Sequence, residues 1–282
     1  MIIIDYSQIA LSNIIAQKMA PDDEMIRHMI LNSIRMYNKK FKKEYGQVIL
    51  ACDGSNTWRR SYFPNYKASR RKGRSESTID WNAIFEILNK VRDEIRDNTQ
   101  YKVLHFDGCE ADDIIGTLAL NTQEFGNNEP VMIVSSDHDF IQLQKFGIKQ
   151  YSPIQKKYVT EKDPNAYLFE HILRGDTGDG IPNVLSGDNV FVDGVRQTPL
   201  SKTKINLWAP NALKLNEVMP EDVYRNYQRN KTLIDLTMVP EVHKSKIINT
   251  FENYVTPHKT KFLNYLIKNR CKLLIECIEE FY

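Results

Sequence analysis

No apolar run in this 282-residue chain approaches the roughly 20 residues that a bilayer-spanning helix requires. The apolar stretch at 1–4 is also too short to serve as an export signal. Cysteine is scarce. Cys52, Cys109, Cys271 and Cys277 form no CxxC pair and no Cys/His spacing, which argues against structural zinc and a disulfide framework. Reduced thiols in a cytoplasmic protein are the expectation, with no membrane partner. Internal repeats and low-complexity tracts are missing too. The net charge is only +2, too little to name a partner.

What the chain does have is segregated charge. Four apolar runs end in acid. MIIID closes on Asp5, and VILACD on Asp53. YKVLHFDGCEADD reaches Glu110, Asp112 and Asp113, and VMIVSSDHD reaches Asp137 and Asp139. A later loop, RGDTGDGIP, adds Asp176 and Asp179. Buried parallel strands are near-continuous Val/Ile/Leu runs, and their ligand site lies beyond their carboxyl ends.

Strands are predicted at 2–4, 48–51, 101–106, 131–134 and 148–151. Apolar residues at helical spacing predict helices near 22–45, 81–95, 112–125 and 140–144. Residues 6–8 read as a loop, and 54–79 carry no clean period. This alternation predicts an α/β fold with a doubly wound, mainly parallel sheet. From about 163 onward strand signals nearly vanish, and helices are expected around 165–173, 220–236, 240–252 and 259–280. Two parts are therefore expected: an α/β core over 1–160 and a helical part over 161–282.

If the acid-tipped runs are neighbours, nine carboxylates share one crevice. Like charges that close need a compensating cation. Any one acid alone reads more readily as a helix cap, but five segments with the same feature exceed what capping uses. Histidine is absent from the set except for His138, which favours two magnesium ions, or manganese, over zinc.

Residues 58–74, WRRSYFPNYKASRRKGR, hold seven bases, four aromatics and no acid. Cations neutralise phosphates and rings stack on unpaired bases, so the segment reads as a strand-gripping element. Lys67 and Arg70 are the candidates for stabilising charge at a scissile phosphate. Arg59, Arg60, Arg71, Lys72 and Arg74 are expected to position backbone. The basic stretch 259–272 reads as a solvated amphipathic helix, with Phe262, Tyr265 and Leu266 on one face and duplex contact as the alternative.

IIID, ACD, YFPNYKASR, EADD, SSDHDF and RGDTGDGIPNV, in that order, resemble the structure-specific 5′ nucleases. That family includes flap endonucleases, the 5′-nuclease domain of bacterial DNA polymerase I and phage 5′-exonucleases. The resemblance covers nearly the whole chain and is nearest to the phage ribonuclease H branch. It implies a PIN-like core and a first metal held by Asp5, Asp53, Glu110, Asp112 and Asp137, with Asp113 beside them. Asp139, Asp176 and Asp179 would hold the second, with Asp137 between. It places Lys67 and Arg70 near the reacting phosphate in an arch at 54–79, with Tyr66 or Tyr62 stacking on a displaced base.

It also implies a helix–hairpin–helix-like region that binds duplex, here through Arg196, Lys202, Thr203 and Lys204. The segment after GDGIP is longer and less Gly-regular than in many relatives, which puts a monovalent-ion site in doubt. The chain starts at its first strand, so the leader found in the phage branch, and any docking element on it, is expected to be missing. The implied activity is 5′–3′ exonuclease and flap endonuclease cleavage with ribonuclease H activity on DNA and RNA–DNA duplexes. It would leave 5′-phosphates and remove lagging-strand primers in phage replication. A single-strand-binding protein or sliding clamp would be the partners of a monomer in the host cytoplasm.

Three alternatives fit the residues less well. A PIN-type ribonuclease lacks the second helical part and the basic arch. A haloacid-dehalogenase-type phosphatase needs a second Asp two residues after the first, where this chain has Ser7. A non-catalytic branched-DNA-binding protein would not need the intact acid set.

Overall fold

A computed structural model describes residues 1–17, 22–77, 79–123 and 128–282, with the side chains of 13, 15–17, 71, 72 and 75 left aside. β1 (Ile2–Asp5) runs directly into α1 (Tyr6–Gln17), followed by α2 (Asp23–Tyr45) and β2 (Val48–Cys52). Then come α3 (Trp58–Tyr62), α4 (Ala68–Ser75), α5 (Trp81–Asn98), β3 (Lys102–His105), α6 (Ala111–Asn121) and β4 (Met132–Val134). A 3-10 helix at His138–Phe146 leads to β5 (Lys149–Ser152) and β6 (Lys157–Val159). The remainder is helical: α7 (Pro164–Arg174), α8 (Lys202–Trp208), α9 (Leu215–Val218), α10 (Glu221–Ile234), α11 (Glu241–Glu252), α12 (Thr260–Lys268) and α13 (Lys272–Ile275).

The sheet order is β3-β2-β1-β4-β5-β6. All pairings are parallel except β5 with β6. This is the expected doubly wound sheet, and the chain direction across it reverses at β1 and β4. β1 is wholly buried because both its faces are covered. On one face Ile2 and Ile4 pack with α1, α2 and α5; on the other, Ile3 packs with α6. A third cluster joins α7, α8 and α10 to Phe63 and Tyr66, between α3 and α4.

Several expectations change. The loop read at 6–8 is the first turn of α1. It starts straight from the strand, with Ile9, Ala10 and Ile14 turned inward. The period-free stretch 54–79 contains two short helices, α3 and α4. The α6 helix ends at Asn121 and gives way to a turn at 122–123, and the last two residues of the predicted span, 124–125, lie outside the described residues. The helix expected over 259–280 breaks after Lys268, where Asn269 caps α12 and Arg270 takes a positive φ of 54°. Some contacts span the two expected parts. The α12 residues Phe262, Tyr265 and Leu266 bury themselves against α2 and α5, and α11 places Ile247 beside α6.

Candidate metal and nucleic-acid site

Carboxylates reach the carboxyl end of the sheet from every segment the sequence singled out. Asp5 ends β1 and accepts hydrogen bonds from the Gln8 amide at 3.0 Å and the Ser135 hydroxyl at 3.2 Å. Asp53 follows β2 and accepts from the Ala111 amide at 2.9 Å, tying that strand to the start of α6. Glu110 is the N-cap of α6, and Asp112 lies in its first turn. Asp137 caps the 3-10 helix after β4 and accepts from the Asp139 amide at 2.9 Å. In the loop after α7, the Asp179 amide donates to Asp176 at 3.0 Å.

The electrostatics show how close these groups are. Burial, then Asp53 and Asp137, push Asp5 up to about 7. Burial and Asp137 push Asp112 well above the usual carboxylate range. Asp139 is pushed up to about 8 by burial and by Asp137, with Asp179 and Asp176 adding to it. Eight carboxylates thus form one repelling network. Asp139 Oδ1 is buried without a hydrogen-bond partner. A buried acceptor left in that state is costly, and a hard cation would relieve it. The donors therefore fit small divalent ions.

Asp113 differs from the other eight. It has no exposed surface, and its carboxylate binds Arg59 at 2.7 Å, the Trp58 indole at 3.2 Å and the Glu110 amide at 2.8 Å. It braces the start of α6, held by these partners.

The basic segment meets the acids at two points. Lys67 binds Glu110 at 2.6 Å and Asp179 at 3.4 Å, and Arg70 pairs with Asp179. Burial works against the charge on Lys67, but Asp179 and Glu110 outweigh it and raise its pKa. Burial raises Glu110, yet Lys67 and Arg59 together hold it below its ordinary value. The backbone fixes this junction. The Lys67 amide donates to the Asp179 carbonyl at 2.7 Å, and Lys67 itself takes a positive φ of 56°. Gly180, at φ +73°, lies against the Asn65 carbonyl, where a Cβ would sit at 3.1 Å. Only glycine suits that backbone at that approach.

Two residues expected to touch nucleic acid serve the scaffold instead. Arg59 is 3% exposed, paired with Asp113 and Glu110, and donates to the Leu233 carbonyl at 2.9 Å. Tyr66 is 2% exposed, and its hydroxyl lies 2.8 Å from a carboxylate oxygen of both Glu110 and Asp179, with one proton to share between them. Its ring is too buried to stack on a base, whereas Tyr62 is 50% exposed. Arg60, Lys67, Arg70 and Arg74 line a cavity of about 730 Å³ that also contains Asp53 and Glu110. Arg71 and Lys72 lie on α4, but their side chains are outside the described residues. Arg196, Lys202, Thr203 and Lys204 are exposed, and Lys202 pairs with Glu170 at 2.5 Å.

One residue escaped the sequence reading. His171, on α7, places Nδ1 at 3.4 Å from Asp139 and Nε2 at 3.6 Å from Asp176. Burial lowers its pKa, but Asp176 and Asp139 outweigh that and raise it. Its spacing of five residues before Asp176 matches no metal motif, so only the fold reveals it. His138, the histidine within the acid run, is exposed.

A doubly wound sheet with converging carboxylates at its carboxyl end and a basic element locked across them defines a metal-dependent nuclease. The chain belongs to the 5′-3′ exonuclease family. The family described as "5'-3' exonuclease, N-terminal resolvase-like domain" matches residues 1–168, and "T4 RNase H, C terminal" matches 163–281. The chain is 37% identical to the ribonuclease H of Enterobacteria phage T4 over 294 residues, covering 99% of this chain and 95% of that protein. A 5′-3′ exonuclease of Buchnera aphidicola (subsp. Schizaphis graminum) is 32% identical over 158 residues, about half of each chain: 52% of this one and 50% of that one. Among solved structures, a T5 phage protein co-crystallized with metal ions superposes with a TM-score of 0.63 at 16% identity, over 90% of this chain and 99% of that one. A bacteriophage T5 flap endonuclease in complex with DNA and metal ions gives 0.60 at 17% identity, over 95% and 98%. At those identities the likeness is one of fold.

Proposed function

We propose that this chain is a divalent-metal-dependent 5′–3′ exonuclease and flap endonuclease with ribonuclease H activity. It hydrolyses phosphodiesters from the 5′ end of DNA and RNA–DNA duplexes and removes RNA primers during lagging-strand phage replication in the host cytoplasm. The observation that carries this reading is the junction of Lys67 and Arg70 with Glu110 and Asp179, which sets phosphate-binding cations against the carboxylate network. The T4 relative carries the name ribonuclease H, and the T5 neighbour was captured with DNA and metal ions.

Asp5, Asp53, Glu110, Asp112 and Asp137 are the proposed ligands of one ion. Asp139, Asp176 and Asp179 are those of a second, with Asp137 between them. Magnesium fits the oxygen donors, and manganese is the alternative. When bound, such a pair activates water and stabilises the leaving oxygen of a phosphodiester. Lys67 and Arg70 stabilise charge on the phosphate, aimed by the acids they pair with. Arg60 and Arg74 hold strand backbone along the cavity wall, and Tyr62 offers a ring to a displaced base. The helical part, through Arg196, Lys202, Thr203 and Lys204, grips the duplex as a monomer.

The test is cleavage of a labelled 5′ flap and an RNA–DNA hybrid with magnesium and with excess chelator. Cleavage that depends on the metal and starts at the 5′ end is expected; full activity in chelator sinks the reading. In Asp137→Asn, cleavage should vanish while duplex binding remains measurable.

A further inference from the structure

The second group of acids is joined by a nitrogen donor that a purely oxygen-ligated magnesium site does not need. One ligand atom from each of Asp139, His171 and Asp176 can be chosen so that all three lie within 4.8 Å of one another. That spacing lets one ion touch all three. One further observation points to a ligand there. Asp139 Oδ1, the oxygen 3.4 Å from His171 Nδ1, is the buried acceptor without a hydrogen-bond partner.

Resting on the proposed metal centre, we infer that His171 is a direct ligand of the second ion, with Asp139 and Asp176, and that this site therefore selects manganese over magnesium. The two nitrogens make this chemically sound. Nδ1 faces the unpartnered oxygen of Asp139. Nε2 faces Asp176, so whichever ring nitrogen carries the lone pair has a carboxylate oxygen beside it with which to share the ion. Magnesium prefers oxygen and gives up water reluctantly, whereas imidazole binds later first-row metals better. Asp5, Asp53, Glu110, Asp112 and Asp137 offer no nitrogen. The two ion sites are then chemically unequal, with manganese entering the His171 site first.

The experiment uses the full chain without nucleic acid and Mn2+ alone as the probe. Electron spin-echo envelope modulation of bound Mn2+ should show directly coordinated nitrogen. That signal should disappear in His171→Gln and persist in His138→Gln. By titration, His171→Gln should weaken Mn2+ binding at that site by about 10-fold or more, since losing a ligand costs at least as much as losing a partner that orients one. Mg2+ binding should change less. His171→Asp, an oxygen donor, should recover binding without the nitrogen signal. Bound Mn2+ with no nitrogen coupling in the wild type would overturn the His171 assignment and leave the metal centre standing. No Mn2+ binding at all would overturn both.

Discussion

At the scale of single residues, burial separates chemistry from support. Lys67 and Arg59 have the same charge and lie eight positions apart in one basic run, yet the fold gives them different roles. Arg59 is sealed between Asp113, Glu110 and the Leu233 carbonyl. Arg59→Ala leaves buried carboxylates without their cation, which costs about 3–5 kcal/mol. Chemical denaturation should read that loss, and an unchanged midpoint would return Arg59 to the nucleic-acid surface. Lys67 keeps 16% of its side chain exposed at the cavity. Lys67→Ala should slow the chemical step by about 100-fold or more, while duplex affinity changes only a few-fold. Single-turnover kinetics beside a binding titration checks this, and the opposite pattern would make Lys67 an anchor. The sequence gives both residue types and their spacing. It does not give which lysine or arginine the third cluster swallows, because that depends on α7, α10 and the Asp179 loop closing over the run.

Among elements, legibility followed the strength of the local signal. Helix α2 was readable from Met25, Ile30, Ile34 and Phe41 at helical spacing, with Asp22 as its N-cap and Gly46 closing it at φ +77°. Helix α1 was not, because it runs straight on from β1 and starts on Tyr6-Ser7-Gln8, which read as a loop; its N-cap, Asp5, is also the last residue of the strand. β6 is three residues long and antiparallel at an edge, too short for any alternation to register. Helix α12 carries a basic sequence, but its apolar face is core. Phe262 is 1% exposed and meets Phe281 edge-on with ring centroids 4.8 Å apart. Phe262→Ala should cost about 3–5 kcal/mol, whereas the exposed Lys261→Ala should stay within about 0.5 kcal/mol of wild type. Thermal denaturation of the two variants compares them directly. Equal stabilities would restore α12 as a solvated surface helix.

For the molecule as a whole, the carboxylate network links stability to protons and cations. Asp5 rises to about 7 and Asp139 to about 8. Both therefore hold protons in the folded, metal-free chain that the unfolded chain, with a carboxylate value near 3.8, has already released. Where the folded state binds more protons, stability falls as pH rises. The metal-free protein should lose stability from about pH 4 to about pH 8, and the loss should level off above the folded values. Divalent cations reverse this by supplying the missing charge. Their gain in Tm should be larger at pH 8.5 than at pH 5.5. Scanning calorimetry with chelator and with magnesium measures both trends. A metal-free Tm that climbs across that window would mean the acids do not share a crevice.

The sequence by itself determined the class of fold and the chemical character of the site. Strand composition, the recurrence of helical periods and acids at the ends of apolar runs are local properties, readable without knowing what lies beside what. Only the tertiary structure decided who touches whom. It drew eight carboxylates into one network and withdrew Asp113 to a brace. It turned Tyr66 and Arg59 from grips into struts, and brought His171 from another helix to face Asp139. Those outcomes come from long-range packing, where burial sets each group's charge and reach, and residues far apart in the chain carry no mark of the neighbour they will meet.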